Sequence, residues 1–123
     1  MGEVEDKQVR VLIIEDNPTD ATLIRELLES CDCVADVSSD GAEGLQMVMN
    51  SPARYKIVFL DLDLPSMNGI TVLSHIKKLA KPPHVIIVSG SPMVWTLPES
   101  GYYGVVHKPV KLEHISSIFD RTH

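Results

Sequence analysis

Five short apolar runs punctuate the chain, and segments with helical spacing separate most of them. The runs are rich in valine and isoleucine and occupy residues 9–14, 34–37, 57–60, 85–88 and 105–106. Strands that alternate with helical segments predict βα units and a parallel sheet. Because the runs are almost continuously apolar, the pattern also predicts that helices cover both faces of this sheet.

The first helix has a clear start signal. Asn17 is a favourable N-cap, Pro18 occupies the first helical position, and Asp20 places a carboxylate in the first turn. The side chains expected to face the sheet are Ala21, Ile24, Leu27 and Leu28. The sequence therefore predicts an amphipathic helix directly after the first strand.

Three further helices follow from similar signals. One begins at Asp40, where Glu43 forms a capping-box-like pair, and another begins near Asn68 and stops before a double proline. The last helix closes the chain. The side chains expected to be buried are Ala42, Leu45, Val48 and Met49, then Gly69, Val72, Leu73 and Ile76, and finally Leu112, Ile115, Ile118 and Phe119.

The segment 91–103 has the weakest pattern. Pro92, Pro98 and Gly101 interrupt any helical spacing there. We therefore expect a shortened or distorted fourth helix between the fourth and fifth strands. The length of 123 residues is enough for one hydrophobic core, which predicts a single domain over residues 1–123.

The overall charge narrows the possible partners. The chain has 17 acidic against 11 basic residues and a net charge of -6, which argues against direct nucleic-acid binding and favours an acidic pocket or a protein partner. No apolar run approaches the length of a membrane span, and the charged start of the chain lacks the apolar core of a secretory signal. We therefore expect a cytoplasmic protein without membrane contact.

Polar and charged side chains that could take part in catalysis or metal binding follow four of the five apolar runs. Glu15 and Asp16 follow the first, Asp61 follows the third, Ser89 follows the fourth, and Lys108 comes just after the fifth. In an open parallel sheet these strand ends gather at one edge, where ligands bind. Each residue has an ordinary structural explanation alone, but the set of five indicates a functional site.

The chemistry of this set indicates phosphoryl transfer. Three carboxylates in one place repel one another, and a hard divalent cation such as Mg²⁺ relieves that repulsion. Asp16 and Asp61 would suffice as direct ligands, with Glu15 acting through water. An ammonium from Lys108 and a hydroxyl from Ser89 beside the metal describe a phosphoryl clamp. Asp61 would then act as a nucleophile toward phosphorus and form an acyl phosphate.

In order and spacing, these residues resemble the response-regulator receiver domain, the phosphorylatable half of bacterial two-component signalling. The resemblance covers nearly the whole chain. It implies a flavodoxin-like, doubly wound α/β fold with a five-stranded parallel sheet in the order 2-1-3-4-5. The motifs that carry it are Glu15-Asp16, the D-x-x-x-P-x-x-x-G pattern of Asp61, Pro65 and Gly69, Ser89-Gly90, and Lys108-Pro109.

The resemblance also implies roles in phosphoryl transfer. Asp61 would accept the phosphoryl group from a histidine kinase or phosphotransfer protein, and the change would switch binding to an unknown downstream protein. Lys108 would pair with the phosphoryl oxygens, and Ser89 would hydrogen-bond one of them. Such a domain catalyses only its own phosphorylation and dephosphorylation and is not an enzyme in the usual sense. The Lys108-Pro109 bond is expected to be cis.

The implied cofactor is Mg²⁺. Asp16 and Asp61 would bind it directly, Asp63 would offer its backbone carbonyl, and Glu15 would hold a metal-bound water. The side chain of Asp63 has two open interpretations, because it could influence dephosphorylation or simply be a solvated loop carboxylate.

One position departs from the family pattern. Val105 stands where many receivers have an aromatic residue that takes part in the switch, and Tyr102 and Tyr103 lie nearby but out of register. We expect these tyrosines at the surface or in an interface. Our hypothesis is that the signal is read through a reshaped loop, residues 89–101, or through another face.

Two alternatives stay open at this point. A haloacid-dehalogenase-like phosphohydrolase also has a D-x-D motif, a later hydroxyl and a lysine, as Asp61, Asp63, Ser89 and Lys108 would provide. Against it, Pro65 stands where that family prefers threonine, and the chain lacks room for a cap. The other alternative is a pseudo-receiver that binds proteins without being phosphorylated.

Overall fold

The computed structural model describes residues 8–51, 53–65, 67–90 and 101–122, with the side chains of 121–122 excepted. Strands and helices alternate along the chain, as predicted. The expected fourth helix falls mostly on residues 91–100, which lie outside the described residues. The elements are β1 (Arg10–Ile14), α1 (Pro18–Ser30), β2 (Val34–Ser38), α2 (Gly41–Asn50), β3 (Ile57–Asp61), α3 (Gly69–Ile76), β4 (His84–Ser89), β5 (Gly104–His107) and α4 (Leu112–Thr122).

The five strands form one parallel sheet in the order β2-β1-β3-β4-β5. The chain first runs outward from β1 to β2 and then crosses back to place β3 on the other side of β1. This arrangement confirms the predicted doubly wound, flavodoxin-like fold. The direction of winding reverses between β1 and β3, and the crevice at the carboxyl ends of these two strands is where such folds bind ligands.

The alternation of side chains along each strand divides the core into two halves. In β1, Val11 and Ile13 pack under α1 and α4, whereas Leu12 and Ile14 pack under α2 and α3. All four side chains are fully buried. Helices therefore cover both faces of the sheet, which explains why the strands lack the polar alternation of a half-exposed sheet.

The helix starts agree with the capping signals in the sequence. Asn17 Oδ1 accepts a hydrogen bond from the backbone N–H of Asp20 at 3.0 Å, and Asp40 Oδ2 accepts one from Glu43 at 2.9 Å. Asn68 caps α3 in the same manner. The longest described helix, α1, has 13 residues, and no helix in the described part of the chain is long and apolar enough to cross a membrane.

The predicted buried face of α2 was partly wrong. Ala42 and Met49 are exposed, and the helix instead buries Gly41 and Gly44 beside Leu45 and Val48. A Cβ added to Gly44 would lie 2.7 Å from the side chain of Ile14. Gly44 therefore lets α2 lie close to β1, a contact that a search for large apolar residues does not detect.

Near the end of the chain, the surface or interface position expected for Tyr102 and Tyr103 is compatible with the structure, whereas the burial expected for Leu112 was wrong. Tyr102 and Tyr103 are partly buried and pack against the two halves of the core. The ring centroid of Tyr103 lies 4.4 Å from that of His84, so this tyrosine packs beside the start of β4. Leu112, which was expected to be buried, is 50% exposed because it begins α4 at the edge of the fold.

Candidate functional site

The same alternation that builds the core brings three charged side chains to one face of the sheet. Glu15, Asp61 and Lys108 each stand two positions beyond a side chain in the core under α1 and α4. Those preceding core residues are Ile13, Phe59 and Val106. The charged groups therefore emerge together at the carboxyl edge, on the side that α1 covers.

The ammonium of Lys108 lies between two buried carboxylates. Its Nζ is 3.0 Å from Glu15 Oε1 and 3.6 Å from Asp61 Oδ2, and both acidic residues are only 2% exposed. Of the two Glu15 oxygens, Oε2 accepts a hydrogen bond from the ammonium at 3.3 Å, which leaves Oε1 close to the cation but without a hydrogen-bond donor. A buried carboxylate oxygen in this state has capacity for a further ligand.

Three carboxylates form a compact acidic group. Glu15, Asp16 and Asp61 each offer one oxygen, and these atoms all lie within 4.8 Å of one another. Opposite ligands of Mg²⁺ lie about 4.2 Å apart, since each bond is about 2.1 Å long. The spacing and the all-oxygen chemistry of this group therefore fit a hard divalent cation. Asp16 is exposed, so the group is open to solvent on one side.

Asp63 differs from these three acids. Its side chain is exposed, and it does not belong to the acidic group. Its backbone N–H donates to Asp61 Oδ1 at 3.0 Å and so helps to orient that carboxylate. The part predicted for its backbone carbonyl in metal binding stays a prediction.

The shared environment raises the pKa of both Glu15 and Lys108, which favours the neutral carboxyl and the charged ammonium. Burial raises the pKa of Glu15 from 4.5 to about 7, and a hydrogen bond to Asp61 adds to this effect, while Lys108 and the N–H of Asn17 oppose it. Burial by itself lowers the pKa of Lys108, but hydrogen bonds to Asp20 and Glu15 outweigh burial and raise it above its ordinary value. The ammonium therefore stays charged at neutral pH.

The backbone around Asp61 is held from two sides. The N–H of Leu62 donates to the carbonyl of Val88 on β4 at 3.1 Å. A Cβ added to Gly69 would lie 2.7 Å from the carbonyl oxygen of Asp61 and 2.7 Å from the Cα of Leu62. The first turn of α3 therefore packs directly on the loop that follows Asp61, which gives the last position of the D-x-x-x-P-x-x-x-G pattern a physical reason.

The remaining predicted site residues lie at the same edge. Ser89 ends β4, is 1% exposed, and follows Val88, which is the strand partner of Asp61. The N–H of Lys108 donates to the carbonyl of Ser89 at 2.9 Å, so these two positions are tied through the backbone. The Lys108-Pro109 bond is cis, as expected.

One contact of Lys108 was not predicted from the sequence. Asp20 Oδ2 lies 2.9 Å from the ammonium, closer than either Glu15 or Asp61. The sequence identified Asp20 only as a favourable acid in the first turn of α1. The position of Asp20 in the chain was the signal that could have predicted this contact. The first turn of α1 directly follows Glu15 and Asp16, so it must start near the carboxyl edge of the sheet.

Comparison with known proteins places this geometry in a family. Residues 11–120 match the family model of the response regulator receiver domain. The chain belongs to this receiver family. The match covers β1 to α4 and therefore includes each of the predicted site residues.

Similar receiver sequences occur within much longer proteins. This receiver is 28% identical over 121 residues to the transcription factor SKN7 of Chaetomium thermophilum and 26% identical over 117 residues to the sensor histidine kinase CheAY of Helicobacter pylori. The alignments cover 94% and 91% of this chain but only 16% and 15% of those proteins. The chain thus spans about a sixth of the length of these relatives.

A solved structure with the same fold is the response regulator TrrA of Thermotoga maritima, in complex with Mg²⁺-BeF. It matches this receiver with a TM-score of 0.83 at 21% identity, over 94% of this chain and 100% of that one. At this level of identity the likeness shows the fold.

We predict that Gly69→Ala destabilises the protein by about 1–3 kcal/mol, because the new Cβ forces the backbone of Asp61 and Leu62 to move. Urea denaturation of parent and variant measures the difference. Gly90→Ala is the matched control, since its Cβ would meet Lys108 Cδ only at 3.8 Å. The control should stay within about 1 kcal/mol of the parent. Equal stability of all three proteins would show that α3 does not pack closely on the Asp61 loop.

We also predict a pH-dependent effect of Glu15→Gln in metal-free buffer. The pKa of Glu15 is about 7 in the folded chain and near 4.5 when unperturbed, so the unfolded chain releases this proton first as pH rises. The contribution of Glu15 to the stability of the folded chain is thus complete below about pH 4.5 and is lost as the pH rises to about 7. Between pH 5 and pH 8, the free energy of unfolding of the variant should therefore rise by on the order of 1–3 kcal/mol relative to that of the parent.

Urea denaturation at several pH values, with a chelator present, measures this gain. Glu26→Gln is the matched control, because it makes the same chemical change at an exposed position of α1, away from the buried site. If the parent and Glu15→Gln curves run parallel from pH 5 to pH 8, the pKa of Glu15 is not raised.

Proposed function

We propose that this receiver accepts a phosphoryl group on Asp61 from the phosphohistidine of a histidine kinase or a phosphotransfer protein, with Mg²⁺ as cofactor. The observation that carries the proposal is the position of the Asp61 carboxylate, which is buried next to Glu15 and Asp16 and 3.6 Å from the ammonium of Lys108. Relatives that include a sensor histidine kinase support a place in two-component signalling.

The reaction is a transfer between two nucleophiles. An Asp61 carboxylate oxygen attacks phosphorus, the P–N bond of the phosphohistidine breaks, and the electron pair returns to the imidazole. Asp61 Oδ1 accepts the N–H of Asp63, whereas Oδ2 lies toward Lys108. The chain therefore orients its nucleophile with backbone on one side and positive charge on the other.

Charge neutralisation is the main task of the surrounding groups. Mg²⁺, held by Asp16 and Asp61 with Glu15 acting through water and the carbonyl of Asp63 as a further ligand, would neutralise charge on the phosphoryl oxygens. Lys108 would pair with one of these oxygens, and the hydroxyl of Ser89 would donate a hydrogen bond to another. TrrA shares this fold and was solved in complex with Mg²⁺-BeF, which is compatible with Mg²⁺ as the cofactor proposed for this receiver.

The output of the receiver is a change in binding to a downstream protein. Val105 is partly buried and packs against the core under α2 and α3. Because it is aliphatic, a switch in this chain would have to work without an aromatic side chain at that position. Our hypothesis of a reshaped loop concerns residues 89–101, most of which lie outside the described residues. We further propose a cytoplasmic location and no direct contact with nucleic acid or membrane.

We propose that the chain is not an enzyme with external substrates, since its chemistry is limited to gain and loss of its own phosphoryl group. The match over residues 11–120 is to receivers, and it lends no support to the phosphohydrolase alternative. The pseudo-receiver alternative makes a different prediction for phosphorylation, and the experiment below separates the two.

We predict that the parent chain gains one phosphoryl group when it is treated with acetyl phosphate and Mg²⁺, and that Asp61→Asn gains none, because the amide is not a nucleophile toward phosphorus. Intact-mass spectrometry measures the adduct. Asp120→Asn, an exposed carboxylate-to-amide change on α4, is the control and should behave as the parent does. A parent chain without an adduct would favour the pseudo-receiver, and steady turnover of small phosphoesters would favour the phosphohydrolase.

We predict that Mg²⁺ stabilises the protein through Asp16. At ten times the dissociation constant, binding to the folded state raises the free energy of unfolding by about 1.4 kcal/mol. Asp16→Asn should lose most of this gain, and because Asp16 is exposed the change disturbs little packing. Urea denaturation with Mg²⁺, or with NaCl at equal ionic strength, measures the effect. An equal Mg²⁺ effect in parent and variant would exclude Asp16 as a ligand.

A further inference from the structure

Asp20 and Lys108 form an ion pair across the edge of the candidate site. The Oδ2 to Nζ distance is 2.9 Å, and the side chains are 32% and 20% exposed. Asp20 does not belong to the acidic group of Glu15, Asp16 and Asp61. It therefore contacts the site through the ammonium of Lys108 and not through the metal ligands.

The ammonium of Lys108 lies closer to Asp20, at 2.9 Å, and to Glu15 Oε1, at 3.0 Å, than to Asp61. Its hydrogen bonds go to Asp20 at 2.9 Å and to Glu15 Oε2 at 3.3 Å, while Asp61 Oδ2 lies 3.6 Å away, beyond hydrogen-bond distance. The cation that a phosphoryl group on Asp61 needs is thus bound more closely by a helix residue than by Asp61 itself. The helix dipole also favours an acidic side chain in the first turn of α1, where Asp20 lies.

We propose that Asp20 is a positioning residue that holds the Lys108 ammonium toward α1 in the unphosphorylated chain, so that a phosphoryl group on Asp61 must compete with Asp20 for this cation. This proposal rests on the proposed phosphoacceptor function. Asp20 thereby stabilises the unphosphorylated state and limits how readily the modified state forms. No contact between Asp20 and the phosphoryl group is required.

The consequence is an increase in affinity for a phosphoryl mimic when Asp20 is neutralised. An ion pair with both partners partly exposed contributes up to about 1 kcal/mol, which corresponds to about a fivefold change in affinity. Asp20→Asn should therefore bind beryllofluoride about twofold to fivefold more tightly than the parent, at saturating Mg²⁺. Saturating metal separates this effect from any change in Mg²⁺ affinity.

A relocated charge provides the decisive control. Thr19 is exposed and directly precedes Asp20, so the double variant Thr19→Asp, Asp20→Asn keeps the charge of the helix turn but moves it off Lys108. If contact with Lys108 is what matters, the double variant should bind as tightly as Asp20→Asn. If only the net charge matters, it should bind as the parent does, and the proposal would be overturned. Glu26→Gln, a charge loss farther along the same helix, should leave the affinity unchanged.

Isothermal titration calorimetry of the full chain with beryllofluoride measures all four proteins. Tighter binding of both Asp20→Asn and the double variant, with Glu26→Gln equal to the parent, supports the proposal. Unchanged or weaker binding of Asp20→Asn overturns the role of Asp20 while leaving the phosphoacceptor function intact. Failure of the parent itself to bind beryllofluoride overturns both, because the phosphoryl site would then not exist.

Discussion

Two carboxylates, those of Glu15 and Asp61, are almost fully buried at the carboxyl edge of the sheet, and the ammonium of Lys108 lies within 4 Å of both. A buried charge is stable only when an opposite charge or hydrogen bonds compensate it. In the described part of the chain, no other ion pair reaches these two carboxylates. The site therefore depends on one cation for its stability without metal and for its chemistry with a phosphoryl group.

The doubly wound topology makes this arrangement possible. Because β1 and β3 are neighbours although they are not consecutive, the acids that follow them meet at the point where the winding reverses. The period of two along each strand then fixes which face each side chain takes. Lys108 arrives from β5 at the far side of the sheet, and its long side chain spans the distance to Glu15 and Asp61. The same reach brings the ammonium to Asp20 on α1, so one residue connects three elements of the fold.

Much of the fold could be predicted because it follows from periodic patterns. The apolar runs marked every strand to within two residues, and Asn17, Asp40 and Asn68 marked three helix starts. What the sequence did not show depends on distances between elements. The burial of Gly44 reflects how closely α2 approaches β1, which a one-dimensional pattern of apolar residues does not contain. The contact between Asp20 and Lys108 joins residues 88 positions apart, and local signals explained Asp20 fully as a helix-start acid.

The central claim is that the Lys108 ammonium leaves Asp20 and pairs with a phosphoryl group once that group is bound to Asp61. A crystal structure of the parent chain with Mg²⁺ and beryllofluoride tests this claim most directly. We expect beryllium bonded to the Asp61 carboxylate, Mg²⁺ beside Asp16 and Asp61, and the Lys108 ammonium moved from Asp20 to a fluorine of the mimic. A structure with beryllofluoride on Asp61 and Lys108 still paired to Asp20 would contradict the claim, and so would one in which the mimic does not bind at Asp61.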